Sequence, residues 1–496
     1  MTARRTSKSA EIRAQLDHPV IDADGHWLEP VPVFLDFLDS SAGPAMVDRF
    51  RENKKREDIW YGLTAEERMA RRLRRPTWWG EPANTLDRAT AMAPGLMYDR
   101  LDEFGVDFAV VYTTLGLVQG SLPDDELRQA VCRALNTMNA ELFAPYADRL
   151  TPVAAIPMFT PGEAIAELNH AVGELGMKAI MIANHVRRPL SSDTDTDTDT
   201  DGETGGYYPS GGYYVDPLAL ESPYDYDPFW QACVDAKVAV TSHSSSMGWE
   251  GRASVNNFTF NHVGHFAGAS HVFAKALVLG GVLQRFPKLR FGMLEGGVAW
   301  ACNLLADMIG HWEKRNERAM LANLSPDNLD TRELANLLKR YGGAAYTGKI
   351  DEIVAGPSTL KPFYSSGVLT ARDRDTGQPI DDFLASGVRS ASDLRQLFAE
   401  RLFFGCEADD PTAAWAYRGK NRLNPMFSSD IGHFDVIDMS GVLEEAYELV
   451  DDGELSEDDF KSFTFSNAAR LHAALNPDFF NGAVVESAVS EVLAEN

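Results

Sequence analysis

Short apolar runs rich in β-branched residues recur along the chain, and each ends in polar or glycine residues. They fall at Val20–Asp24, Phe108–Thr114, Thr151–Met158, Lys178–Asn184, Ala236–His243, Leu289–Glu295, Leu402–Glu407 and Asn424–Asp430. Near-continuous apolar runs of this length predict strands buried on both faces. Between them, Asp125–Tyr146, Pro161–Leu175, Pro228–Ala236 and Gly297–Asn316 carry apolar residues at helical spacing. Eight strand–helix units of this kind predict an α/β fold, a (β/α)8 TIM-like barrel. An open doubly wound sheet is the competing arrangement, but no glycine-rich phosphate loop follows the first strand.

Three stretches break the alternation and predict lid insertions. Residues 31–99 are charged and tryptophan-rich, with Trp60, Trp78 and Trp79; residues 191–214 hold an Asp-Thr repeat and paired tyrosines; residues 318–397 separate the sixth and seventh strands. The repeat has too little apolar surface to pack and predicts a surface loop. Residues 1–17 predict a disordered basic arm, residues 18–480 the barrel with its insertions, and residues 481–496 a C-terminal tail.

Composition narrows the partners. A net charge of −27 in 496 residues argues against nucleic acid and anionic membranes. Four scattered cysteines suit neither a disulfide framework nor a zinc CxxC site, and no run is long enough to span a bilayer, so a cytoplasmic location is expected.

The strand ends carry the chemistry. In Asp22-Ala23-Asp24-Gly25-His26, alternation on an extended strand puts Asp22, Asp24 and His26 on one face. Carboxylates beside an imidazole are hard-to-borderline metal ligands. His243 ends the fifth run, Glu295 the sixth, Glu407 the seventh and Asp430 the eighth; Glu29, His262, His265 and His433 stand in reserve. Charges at the ends of apolar runs are costly unless paired or bound to metal.

These residues bring out a resemblance. Asp22-Ala23-Asp24-Gly25-His26 with Glu29-Pro30 resembles the opening metal motif of the amidohydrolase superfamily, in the amidohydrolase-2 branch related to aminocarboxymuconate semialdehyde decarboxylase. Gly281-Val282-Leu283-Gln284-Arg285-Phe286-Pro287 leading to Glu295-Gly296-Gly297 resembles its sixth unit. Ser429-Asp430-Ile431-Gly432-His433-Phe434-Asp435 resembles its eighth-strand signature, and Asn467-Ala468-Ala469-Arg470-Leu471 its closing helix.

By that resemblance Asp24, His26, His243 and Asp430 match the positions that hold one divalent metal. The chain departs from the branch at Glu295, where related decarboxylases often carry a catalytic histidine. Phe404-Gly405-Cys406-Glu407 also resembles the eighth-strand signature, but Asp430 is preferred because the closing helix follows it at the shorter interval.

Four carboxylates would over-neutralise one divalent ion and balance two. The chain accordingly resembles the non-haem di-iron monooxygenases of platensimycin and platencin biosynthesis. That reading implies two irons held by Asp24, His26, His243, Glu295, Glu407 and Asp430, with His262 or His265 completing the second site. It implies catalytic roles for Glu295, Asp430 and His265. The substrate would be a bulky diterpenoid held as a CoA thioester, enclosed by Trp60, Trp78, Trp79, Tyr207 and Tyr208. Arg72 and Arg75, in the run Arg71–Arg75, would meet the CoA phosphates, unless that run is a solvated helix face. An external electron donor is required, since no flavin, NAD or haem motif is visible. The alternative is a decarboxylase or hydrolase of a carboxylated substrate with one zinc or manganese ion; a homodimer is expected under either reading.

Overall fold

All eight predicted strands form, and they are parallel. In the computed structural model they are β1 (Ile21–Trp27), β2 (Phe108–Thr113), β3 (Leu150–Ala155), β4 (Ala179–Ile182), β5 (Val240–Ser242), β6 (Phe291–Met293), β7 (Leu402–Cys406) and β8 (Asn424–Phe427), hydrogen-bonded in that order. The structure describes residues 6–57, 59–76, 80–189, 213–243, 251–323, 325, 328–355 and 380–494. Eight parallel strands with helices between them make a nearly closed (β/α)8 barrel.

The seam between β1 and β8 is joined beyond the end of β8. The His26 N–H donates to the Ile431 carbonyl at 2.7 Å and the Asp430 N–H to the Asp24 carbonyl at 3.0 Å. Asp22 ties the same seam: it accepts from the Ser429 N–H at 2.9 Å and from the Ser429 hydroxyl at 2.5 Å. This corrects the expectation that Asp22 shares a face with Asp24 and His26. The β1 register shifts between Asp22 and Gly25, and such a bulge ends strict alternation.

Ile21, Phe108, Val153, Ala179, Phe403 and Met426 pack as the barrel core, together with Phe465, Leu471 and Phe480 from the closing segment. Val485, Val489 and Val492 join that core, and Glu486–Ala494 is helical, so the expected tail is packed structure. The expected disordered arm is likewise a helix over Lys8–Arg13. Ser7 caps it at 3.1 Å, Ser9 is buried, and Arg13 pairs with Asp107. Short chains of good helix formers order when a cap and tertiary contacts are supplied.

The first insertion is a set of helices, among them Val31–Ala42, Pro44–Glu57, Ala65–Arg71 and Thr85–Met92. A two-stranded antiparallel ribbon, Val186–Pro189 with Tyr213–Asp216, flanks the second, whose repeat lies outside the described residues. Leu305–Leu394 is a separate compact unit that includes the helix Thr331–Tyr341, capped by Asp330. Among the described residues no helix is long and apolar enough to cross a membrane.

His472, in the closing helix, is buried with its ring stacked on Phe479, centroids 4.3 Å apart, and burial pushes its pKa down to about 3. An unfolded imidazole titrates near about 6.5. The folded value being the lower, the stabilisation is complete above the unfolded pKa and is lost progressively as pH falls toward the folded one. Acidification from about pH 7.5 to 5 should therefore cost up to about 2 kcal/mol at this residue. Urea midpoints of His472→Phe should drop less over that interval than those of the parent; equal drops would assign the acid sensitivity elsewhere.

Candidate metal centre

Each expected ligand reaches the carboxyl end of the barrel by the local route its sequence sets. Asp24 and His26 lie in β1 around the bulge, His243 follows β5 directly, and Glu295, Glu407 and Asp430 lie beyond β6, β7 and β8. Glu295 and Asp430 turn off their strands with left-handed backbones, φ 55° and 53°. Non-glycine residues held there store strain, which is found where the surroundings over-determine a side chain's direction.

Three of these side chains converge, and Asp430 adjoins one of them. His26 Nε2 and His243 Nε2 are 3.0 Å apart. Asp24 Oδ1 lies 3.3 Å from the first and 3.4 Å from the second, and Asp430 Oδ1 lies 3.5 Å from His26 Nε2. Ligand atoms about 2.1 Å from one ion, at tetrahedral or octahedral angles, are about 3.0–3.4 Å from each other. The cluster matches that spacing. Among the described residues, both Asp24 oxygens and His26 Nδ1 are buried without a hydrogen bond. A buried carboxylate without donors calls for a cation.

The electrostatics agree. Burial opposes a charge on Asp24, yet the His243 and His26 imidazoles hold it well below the usual carboxylate range. Burial and the neighbouring His433 push His26 down to about 3, leaving a neutral ring able to ligate. His243 moves the other way: burial opposes its charge, but Asp24 and Glu295 raise it. Asp430 is pushed well above its ordinary value by burial and by Glu295, Asp435 and Glu407, so it keeps a proton that a cation could replace.

Glu295 stands behind the cluster. Its Oε2 is 3.6 Å from His243 Nδ1, the nitrogen facing away from the convergence point, and its Oε1 is 3.7 Å from His433 Nδ1. A carboxylate behind a ligating imidazole orients the ring and raises its basicity. Despite burial, His243 and His433 hold Glu295 below its ordinary value.

His433, kept in reserve by the sequence, belongs here. Its Nδ1 is 2.6 Å from Asp430 Oδ1, its Nε2 is 3.1 Å from the Thr114 hydroxyl, and its ring stacks on His26 with centroids 3.8 Å apart. The available signal was its place three residues after Asp430, across a tight turn in which the His433 N–H donates to the Asp430 carbonyl at 3.2 Å.

The other expected site residues lie elsewhere. Among the described residues, two groups gather ligand atoms within 4.8 Å of one another, Asp24–His26–His243 and His26–Asp430–His433, and Glu407, His262 and His265 belong to neither. Glu407 and His262 line an adjoining cleft of about 430 Å³ with Glu295, Phe266 and Asp410. Desolvation in that cleft, with Glu295 and Asp435 nearby, pushes Glu407 up to about 8 although its side chain reaches solvent. His265 is buried one residue from Phe266, away from both groups. Glu29, also in reserve, accepts from the Thr113 hydroxyl and the Leu115 N–H, a structural role.

Arg72 is exposed and caps the helix Ala65–Arg71 with φ 53°. Arg75, part-exposed, donates to the Asn256 carbonyl at 2.9 Å. Trp60 is buried, its indole N–H donating to the Val255 carbonyl at 3.0 Å. Trp78, Trp79, Tyr207 and Tyr208 lie outside the described residues.

A family model described as Amidohydrolase matches residues 21–331. Among solved structures, the chain is similar to 2,6-dihydroxybenzoate decarboxylase from Rhizobium, with 16% identity, a TM-score of 0.48, and 92% of this chain and 98% of that one covered. It is also similar to a dihydroxybenzoic acid decarboxylase from Polaromonas sp. JS666 with bound manganese and 2-nitroresorcinol, at 13% identity and a TM-score of 0.48, over 92% and 97% of the two chains. A third likeness is to 5-carboxyvanillate decarboxylase from Sphingomonas paucimobilis, at 14% identity and a TM-score of 0.47, over 92% and 98%.

Gly432 fixes the turn that carries Asp430 and His433. Its φ is +100°, and a Cβ there would run into the His26 carbonyl oxygen. Gly432→Ala should lose about 1–2 kcal/mol from the backbone strain, more with the clash. Its urea midpoint and bound divalent metal should fall together; a variant with unchanged metal content would separate the turn from the cluster.

Proposed function

The chain belongs to the amidohydrolase family, and from that premise we propose that it is a mononuclear metal-dependent decarboxylase of a carboxylated small molecule. The observation that carries this reading is the mutual spacing of 3.0–3.4 Å among ligand atoms of Asp24, His26 and His243, with Asp430 Oδ1 3.5 Å from His26 Nε2. Asp24, His26 and His243 would hold one divalent ion, manganese or zinc, with Asp430 beside His26. When bound, such an ion acts as a Lewis acid that draws negative charge from the substrate.

The chain's own residues handle the proton. In decarboxylation the bond to the departing CO2 breaks, its electron pair stays on carbon, and a proton takes the vacated position. Asp430, adjoining His433 Nδ1 at 2.6 Å, is placed to hold and deliver that proton. Thr114 steadies the far side of the His433 ring, and Glu295, facing both His243 and His433, keeps the imidazoles in register. Hydrolysis of a carboxylated substrate needs the same parts, with water attacking and Asp430 taking its proton.

A di-iron monooxygenase is the second reading, favoured by the group His26–Asp430–His433 beside Asp24–His26–His243. Against it, the two groups share His26, and Glu407 and His262 line the cleft outside both. Under that reading the CoA-linked terpenoid and the electron donor would follow.

Elemental analysis of the purified protein separates the two. About one manganese or zinc per chain is expected, with CO2 release from a panel of hydroxylated aromatic carboxylic acids and no oxygen uptake; about two irons with oxygen consumption would reverse the assignment. Asp24→Asn should empty the site. Glu295→Gln should keep the metal and lower turnover roughly 10²–10⁴-fold; loss of metal instead would make Glu295 a ligand.

A further inference from the structure

We infer that the cleft beside the metal centre receives an organic ammonium group, so that the substrate is a zwitterion with its carboxylate at the ion. The inference rests on the metal-centre reading above and adds the chemical class of the substrate.

The cleft is built from two turns that face each other. Beyond β6, Glu295 and Gly297 adopt left-handed backbones, and the Gly297 N–H donates to the Gly405 carbonyl of β7 at 3.0 Å. Beyond β7, the Asp410 N–H donates to the Glu407 carbonyl at 3.2 Å. Asp410 Oδ1 accepts from the Thr412 N–H at 2.8 Å and from the Thr412 hydroxyl at 2.7 Å, which fixes the carboxylate. A Cβ on Gly297 would lie 2.7 Å from Asp410 Oδ2, so the lack of a side chain there lets the two turns approach.

The walls carry charge of one sign. Glu295, Glu407, Asp409 and Asp410 line the cleft, and no lysine or arginine is among its described lining residues. His262 also lines it, with Nε2 3.9 Å from Asp435 Oδ2. The charges that act most strongly on Glu407 are those of Glu295, Asp435, Asp409 and Asp410, all carboxylates. Like charges sharing a small space are relieved by a cation. Glu295 adds a need for a donor: its side chain is 6% exposed, and its Oε2 is buried without a hydrogen bond among the described residues. A buried carboxylate oxygen in that state gains most from a charged N–H.

The cation that suits these walls is organic rather than a metal ion. Among the described residues, no three of the cleft's acidic or histidine side chains bring ligand atoms within 4.8 Å of one another. The cleft holds about 430 Å³, far more than one ion fills, and Val263 and Phe266 give it apolar surface. The Phe266 ring centroid lies 6.5 Å from that of His243, so one ring borders both the cleft and a metal ligand. An aromatic body along Phe266 would join an ammonium, with its three N–H donors, to a carboxylate at the ion. A purely anionic substrate meets repulsion on the same path, which a zwitterion offsets.

Isothermal titration of the metal-loaded protein with 4-(aminomethyl)benzoate, 4-(hydroxymethyl)benzoate and manganese tests this, with metal counted in every sample. The amine should bind at least about tenfold more tightly than the alcohol, and Glu407→Gln should reduce that preference at least about threefold while retaining its metal. A smaller preference in a parent that carries its metal, undetectable binding of both ligands included, overturns the inference. So does a smaller reduction in Glu407→Gln. A second equivalent of manganese, taken up by the parent and lost in Glu407→Gln, assigns the cleft to a metal ion and overturns the ammonium. A parent that takes up no metal overturns the metal-centre reading and the inference with it, and the metal count identifies that failure. Should Glu407→Gln not fold, Asp409→Asn and Asp410→Asn take its place. Each should narrow the preference at least about twofold, and an unchanged preference in both overturns the inference.

Discussion

The seam between the first and last strands is the constraint on which the structure depends. Asp22 accepts two hydrogen bonds from Ser429, while the backbones of Asp24 and His26 exchange bonds with those of Asp430 and Ile431. Without that closure, residues some four hundred positions apart would not share a neighbourhood. Asp22 is buried and shifted up to about 6, so the barrel spends a costly carboxylate on alignment rather than on chemistry.

The second constraint is charge. Three carboxylates, Asp24, Glu295 and Asp430, are buried around His26, His243 and His433. Their shifts run in opposite directions, with Asp24 and Glu295 held down and Asp430 driven up. Such divergence arises when like charges share a small space and one retains a proton. The same divergence separates a group fit to ligate from one fit to move protons, and the division of labour in the proposed reaction follows from it.

Much of this was legible beforehand, for identifiable reasons. Runs such as Phe108–Thr114 and Leu402–Glu407 are apolar on both faces, which only a strand covered by helices tolerates, and all eight appear within a few residues of the expected bounds. Asp24, His26, His243 and Asp430 could be picked out because each interrupts or ends such a run. The bulge that removes Asp22 from their face was not legible, since a register shift depends on the partner strand. His433 could only be held in reserve, because alternation does not describe the left-handed turn from Asp430 to Gly432. Glu407 was over-read: a carboxylate at a strand end faces either the convergence point or the cleft wall, and only tertiary placement decides which. The packed ends, Lys8–Arg13 and Glu486–Ala494, were missed because their order comes from partners distant in sequence.

The closing segment that plugs the barrel floor also bears on synthesis. Phe465, Leu471, Phe480, Val489 and Val492 leave the ribosome after every strand has been made, and they pack against Ile21 and Phe108 from the opening of the chain. A nascent barrel therefore waits, open at its base, until these residues have emerged. Contacts of such long sequence separation form slowly. During that delay the apolar floor is exposed, and chaperone capture is the natural safeguard for it.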